Sequence, residues 1–357
     1  MPFPSTEALT LTQLDPLVLD ILQARLQINI PPAGFDPLTE SDSNLAKYFL
    51  PPRPNQAYAP EAFKLWTKAM SPPLSFVDVA AGHEESRLRE LFESVSAQAH
   101  QLAPTVQGVV QESGNNWSGS FVRPRDFNKM MLVQGAWSVP TPSAPQGLGD
   151  GAYASSIWVG LDGNDPASRS LPQMGTGQYV AVTNGIPQRH LFAWWQWWDR
   201  NDPLAQQIVI RHKKFPVQAG DEIYVQIEAL GPQKVSLLIK NKSSGLALPM
   251  WYGAPPSANQ GLNTIPTHVE GRTAEWIVER PGIPQTNPVQ FFTLADYGNT
   301  TFTECNAGYG TPNQYSEEQL QRARLIRMNV WDEPAHPGIL VSLPARISAT
   351  SFRVSYV

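Results

Sequence analysis

The chain has 357 residues and a net charge of -5, with 26 Lys and Arg against 31 Asp and Glu. No run of Lys or Arg occurs, which argues against a nucleic-acid or anionic-membrane partner, because such surfaces need concentrated positive charge. A single cysteine, Cys305, rules out an internal disulfide, a cysteine zinc site and a Cys-x-x-Cys redox pair, so the fold must stand on its core alone.

The segment from Met1 to Ile30 is interrupted by Glu7, Asp15, Asp20 and Arg25 and offers no uncharged stretch followed by small residues. A standard secretory signal is therefore not recognised, and no apolar run reaches the length of a membrane-spanning helix. Leu14, Leu17, Val18, Ile21 and Leu22 fall at helical spacing, and Leu88, Leu91, Phe92, Val95, Ala99 and Leu102 form a second stripe. Between them, the prolines of residues 50–55 predict an extended segment, and Pro60 opens a short helix reaching Met70 that Pro72 and Pro73 end. Residues 1–112 are thus expected to be a helical N-terminal extension.

After Gly114 the texture changes to short runs of β-formers separated by Gly, Pro, Asn and Asp. Strands are predicted over 131–139, 155–161, 190–198, 208–211, 222–229, 234–241, 274–280, 289–294, 325–330, 339–343 and 351–357. These are enough for two packed antiparallel sheets, so residues 113–357 are expected to be an all-β sandwich. The Pro- and Gly-rich stretch 249–267 reads as a long loop of the kind that often rims a functional site.

Several chemistries lack their residues. There is no Gly-rich phosphate loop, no Gly-x-Ser-x-Gly elbow, and no His-Glu-x-x-His pair among the six scattered histidines. No metal site or cofactor is predicted. The Asp-Thr/Ser-Gly signature of paired-aspartate peptidases is also missing.

One strand carries an unusual load. Over 274–280 the period of two sends Glu275, Ile277 and Glu279 to one face and Trp276 and Val278 to the other. Two carboxylates on one face of an apolar strand are costly to bury, so such a face lines a wet cleft, carries chemistry, or lies at an edge in water. A carboxylate pair on one strand face also leaves a lyase or glycosidase open.

Other segments join it: Asn116-Trp117-Ser118-Gly119, Gly135-Ala136-Trp137-Ser138-Val139-Pro140, Ile157-Trp158-Val159-Gly160-Leu161-Asp162-Gly163, Leu171-Pro172-Gln173-Met174-Gly175 and Ala193-Trp194-Trp195-Gln196-Trp197. In this order, and ending in Ala274-Glu275-Trp276-Ile277-Val278-Glu279, they resemble the glutamic peptidase (eqolisin, G1) family from about Asn115 to the C-terminus. The resemblance implies a lectin-like two-sheet β-sandwich whose concave face binds a polypeptide, and an acid endopeptidase working through one glutamine and one glutamate. On this chain these fall on Gln173 and Glu279, with Trp158, Trp194, Gln196 and Glu275 as groove residues. Without the resemblance Gln173 reads as a loop amide capping a turn. Trp195 and Trp197, on the opposite strand face from Trp194, read as core, and Glu275 reads either as a charge acting on Glu279 or as a structural acid held by backbone groups.

The chain also departs from the family. Phe192 and Gln196 stand where fungal members tend to have acids, Pro172 is inserted directly before Gln173, and the paired cysteines and signal of fungal members are missing. A prokaryotic member is expected, although the family is typically secreted. Residues 1–112 would occupy the place of a propeptide, with Lys64, Lys68, Arg87 and Arg89 available to pair with groove acids and cover the cleft. The competing expectation is a noncatalytic lectin-type sandwich whose tryptophans stack on sugar rings.

Overall fold

The computed structural model describes residues 25–78, 101–106, 109–126, 128–165, 167–199, 208–209, 214–253, 267–283, 290–311, 314–331 and 338–357. Two mainly antiparallel layers stack face to face, as expected for a β-sandwich. The first runs from Ile186–Asp199 through Ser170–Thr183, Gly151–Leu161, Ala274–Glu279 and Trp117–Val122 to Arg324–Val330. The second runs from Leu246–Gly253 through Lys234–Asn241, Glu222–Gly231, Met130–Ser138 and Asn299–Thr311 to Phe352–Tyr356 and Ile339–Arg346. Arg324–Val330 also pairs with Ile339–Arg346, so the hydrogen-bond ladder passes from one layer into the other along one edge.

Alternation decides what lies between the layers. Trp276, Val278, Met174, Trp195 and Trp197 of the first sheet pack with Val133, Trp137, Val225, Ile227 and Ile239 of the second in one buried cluster. Two indoles also cross the gap with hydrogen bonds: Trp276 Nε1 donates to the Gln134 carbonyl at 2.8 Å, and Trp137 Nε1 donates to Thr176 Oγ1 at 3.1 Å. Each indole thus adds its apolar area to the core while leaving no buried N–H unpaired.

The remaining face of the second sheet is covered by the N-terminal segment. Its principal element is the helix Pro60–Met70, where Pro60 stands in the first turn and needs no intrahelical N–H partner, as the sequence predicts. A shorter helix, Asp42–Lys47, is capped by Ser41, whose side chain accepts from the Asn44 N–H. Leu45, Leu50, Leu65, Trp66 and Met70 cluster with Tyr224, Leu238 and Ala247 of the sheet, and burying each large apolar side chain contributes roughly 1.5–3 kcal/mol. The strand Leu246–Gly253 takes two further short partners from the segment, Leu26–Gln27 antiparallel and Ser75–Phe76 parallel.

Several expectations change. Residues 101–112, the end of the expected helical extension, fall in the strands Gln101–Val106 and Val109–Gly114, the latter parallel to Arg324–Val330. Leu102 therefore lies in a strand, while the rest of both helical stripes falls outside the described residues. The stretch expected to begin as a loop at Pro249 is the strand Leu246–Gly253 up to Gly253. Proline is tolerated there because the short outer partners pair only with Leu246, Ala247, Trp251 and Tyr252, leaving Pro249 between them. Residues 254–266 lie outside the described residues.

Candidate active site

The outer face of the first sheet holds the residues singled out by sequence. Glu275, Ile277 and Glu279 point to it together, beside a second buried cluster formed by Trp117, Phe121, Trp158, Leu171, Phe192, Trp194 and Ile277. The ladder arranges them in three cross-strand rows. The first is Gln196, Gln173, Gly160, Glu275; the second is Trp194, Gly175, Trp158, Ile277; the third is Phe192, Gly177, Ser156, Glu279, Trp117. Gln173 and Glu279 thus share one face with a row of tryptophans between them. Gln173, far from being a loop amide, sits within the 14-residue strand Ser170–Thr183.

Two hydrogen bonds orient this face. Trp158 Nε1 donates to Glu279 Oε2 at 2.7 Å, and Gln173 Nε2 donates to Gln196 Oε1 at 2.9 Å. Gln173, Glu279, Trp158 and Trp194 are all fully buried, and Gln196 nearly so. Trp117 packs edge-on against Trp158, with ring centroids 4.9 Å apart. The cross-strand partner of Trp158 is Gly175, where close approach of the neighbouring strand leaves no room for a Cβ: it would stand 2.1 Å from the Ile157 carbonyl oxygen and 2.6 Å from Trp158 Cβ. Trp195 and Trp197 lie in the inter-sheet core, and Trp198 packs beside Trp194's cluster on the outer face, as strand parity predicts.

Glu275 has a different environment. Its Oε1 accepts from Thr273 Oγ1 at 2.7 Å and from the Asn164 N–H at 2.8 Å, while Leu171 and Trp158 close over Gly160, the residue between it and Gln173. Burial raises its pKa well above the usual carboxylate range, although the Thr273 and Asn164 hydrogen bonds pull it back. Asp162 does a related task at positive φ, accepting the backbone N–H groups of Glu270, Gly271 and Arg272. Its pKa is pushed up to about 6 by burial against the lowering effect of those bonds. The two acids pin the turn at residues 162–164 to the segment entering the Glu279 strand.

The sequence reading did not assign roles to Trp117, Tyr179 or Phe292. Tyr179 and Phe292 meet edge-on at 5.9 Å at the rim of the face, and Arg280 holds this rim by donating Nε to the Phe292 carbonyl at 2.7 Å. Trp117 was visible in the Asn116-Trp117-Ser118-Gly119 motif, whereas Phe292 carries no pattern of its own.

The basic residues expected over the groove lie elsewhere or outside the described residues. Lys64 pairs with Glu61 and Lys68 with Glu304, both on the face of the other sheet, while Arg87 and Arg89 fall outside the described residues.

A two-sheet β-sandwich of this kind is the fold of the glutamic peptidases. Residues 115–350 match the Peptidase A4 family, and the chain belongs to that family; it is a peptidase of the glutamic type. Among solved structures it resembles scytalido-glutamic peptidase with a peptide-based transition state analog, at 19% identity and a TM-score of 0.50, over 68% of this chain and 98% of that one. The same peptidase with a transition state analog inhibitor gives 19% identity and a TM-score of 0.51 over the same shares. These likenesses bear on the fold. No curated protein sequence matches the chain.

Proposed function

We propose that the chain is an acid endopeptidase in which Glu279 moves the proton and Gln173 stabilises the oxyanion. The observation that carries this reading is the carboxyl of Glu279 held by the Trp158 indole on the same buried face as the Gln173–Gln196 amide pair. Amide hydrolysis without a nucleophilic side chain needs one group to accept a proton from water and return it, together with a donor for the developing negative charge.

The steps follow from these roles. The Glu279 carboxylate takes a proton from water as the water oxygen bonds to the peptide carbonyl carbon, and the C=O electron pair moves onto oxygen. An N–H of the Gln173 amide donates to that oxyanion. Because the amide NH₂ has two N–H bonds, the one given to Gln196 fixes the amide plane and so aims the other. The tetrahedral intermediate then collapses, the C–N bond breaks, and the proton held on Glu279 passes to the leaving nitrogen. A glutamine does not titrate, so its donor role persists in acid, where a histidine would be fully protonated. Trp158 and Trp194 bound the site and exclude water around the reacting groups. The Oε2 that accepts from Trp158 is fixed in direction, and the carboxyl plane is fixed with it.

Both dyad side chains are fully buried, so the reading requires that they become accessible to a polypeptide. Of the tryptophans that the sugar-binding alternative invokes, Trp194, Trp195 and Trp197 are at most 3% exposed, while Trp198 is partly buried at the edge of the outer cluster. A covering role for the N-terminal region is narrowed by residues 25–78, which serve the other sheet.

The reading is tested by digesting an unfolded protein such as casein at acid pH with an aspartic-peptidase inhibitor present. Cleavage by the parent chain that is lost in both Glu279→Ala and Gln173→Ala is expected. Cleavage surviving both substitutions would overturn it.

A further inference from the structure

The far face of the sandwich bears on how the chain matures. A propeptide that leaves on acidification must be held by contacts that acid breaks, above all by carboxylate ion pairs. The segment 25–78 is held mainly by contacts of other kinds. Two backbone ladders join it to Leu246–Gly253. Trp66 is 1% exposed and Leu50 fully buried within a cluster shared with Tyr224, Leu238 and Ala247. Trp251 Nε1 donates to the Leu50 carbonyl at 3.2 Å, and Gln134 Nε2 donates to the Ala62 carbonyl at 3.3 Å.

The helix end adds a contact with the opposite pH sense. Lys240, 3% exposed on the second sheet, donates Nζ to the carbonyls of Ala69 at 2.9 Å and Ser71 at 2.7 Å, where the dipole of Pro60–Met70 presents its negative end. Burial, and secondarily Lys242, lowers the Lys240 pKa to about 8, so the amine is a full ammonium throughout the acid range. Among the described contacts that hold the segment to the sheet, those that depend on a carboxylate are Glu317 Oε1 accepting from the Ala62 N–H at 2.6 Å and the Lys68–Glu304 pair. Departure of the segment would strip cover from Tyr224, Leu238 and Ala247, whereas the Glu279 face lies on the other sheet and would gain no opening.

We propose that residues 25–78 are a permanent subunit-like part of the working protein, docked on the outer face of the second sheet, and remain bound at acid pH even when the chain between them and the sandwich is cut. The inference does not rest on the Gln173–Glu279 chemistry, because retention and hydrolysis are read separately.

A recognition sequence for a site-specific protease inserted after Asp78, which is exposed, allows the full-length protein to be cut in place. Gel filtration at pH 4 and pH 7, followed by denaturing mass analysis of the eluted peak, should find both pieces together at both pH values. Elution of the N-terminal piece apart from a folded remainder at either pH would overturn the proposal. Should the insertion prevent folding, Trp66→Ala in the uncut chain serves instead: a marked fall in Tm at pH 4 is expected, and an unchanged Tm would count against a permanent role. A chain that keeps its segment yet leaves casein whole would count against the peptidase chemistry alone.

Discussion

Trp158 donates its indole N–H to Glu279 Oε2 at 2.7 Å, reaching past its own cross-strand partner Ile277 to the next outward residue of the neighbouring strand. Replacing this donor tests whether the carboxyl must be aimed. A hydrogen bond to a charged group is worth about 1.5–3 kcal/mol, so Trp158→Phe, which keeps most of the packing, is expected to lower kcat by roughly ten- to a hundred-fold. Steady-state kinetics on a peptide substrate give the answer, with KM little changed if the bond matters mainly in the transition state.

The Gln173–Gln196 bond supports a second prediction. Gln196→Leu removes the acceptor that orients the Gln173 amide, and about a tenfold loss in kcat is expected from losing one neutral hydrogen bond. Gln196→Glu keeps an acceptor at the same place and should retain more activity than the leucine variant at every pH tested. Equal activity in the two variants would leave the amide pair without an orienting role.

Gly175 offers a test of the scaffold. A Cβ at this position would meet the Ile157 carbonyl oxygen at 2.1 Å, a contact with backbone that no rotamer change relieves. Gly175→Ala should therefore cost about 1–3 kcal/mol or more, seen as a lower Tm or loss of soluble protein. Activity should fall with it, since Trp158 lies against the same site.

Stability should depend on pH through buried acids. Burial raises the pKa of Glu228 to about 8, against the lowering effect of the Tyr315 and Gln226 bonds, and raises Asp162 to about 6 and Glu275 well above its usual range. Each folded-state value exceeds the unfolded one, so the stabilisation is complete below about pH 4, near the unfolded carboxyl range, and is lost as pH rises through the folded values. Lys240 has the opposite sign, but with its pKa at about 8 it stays charged until the top of this window and begins to lose its proton only there. Tm is expected to fall from pH 4 to pH 8, and Glu228→Gln should flatten that fall by more than about 3 °C. Calorimetry across the range would show a parallel slope in the variant if Glu228 made no contribution.

The legible parts of the chain were those where one physical rule acted alone. Strand parity separated Trp194 from Trp195 and Trp197, and Pro60 marked the helix start, because each signal is local. Ser170–Thr183 was not legible as a strand: Gly175 and Gly177 lower β propensity, and the glycine at 175 is required by the close approach of the neighbouring strand at Ile157 and Trp158, distant in sequence. Leu246–Gly253 was hidden by Pro249, whose tolerance depends on short partners from the distant N-terminus. Glu275 shows the same limit. Its spacing from Glu279 was visible, but its attachment to Asn164 and Thr273 rather than to the amide pair depends on a turn that closes only in the folded protein.

Pro172 lies just outside the double grip on Gln173. The ladder to Gly151–Leu161 ends with Gly160 opposite Gln173, and Pro172 is paired only with Trp197 on the other side. A residue added at Pro172 therefore shifts Ser170 and Leu171 by one place against Trp198 and Asp199, or bulges the strand there, while Gln173 keeps its place opposite Gly160 and Gln196.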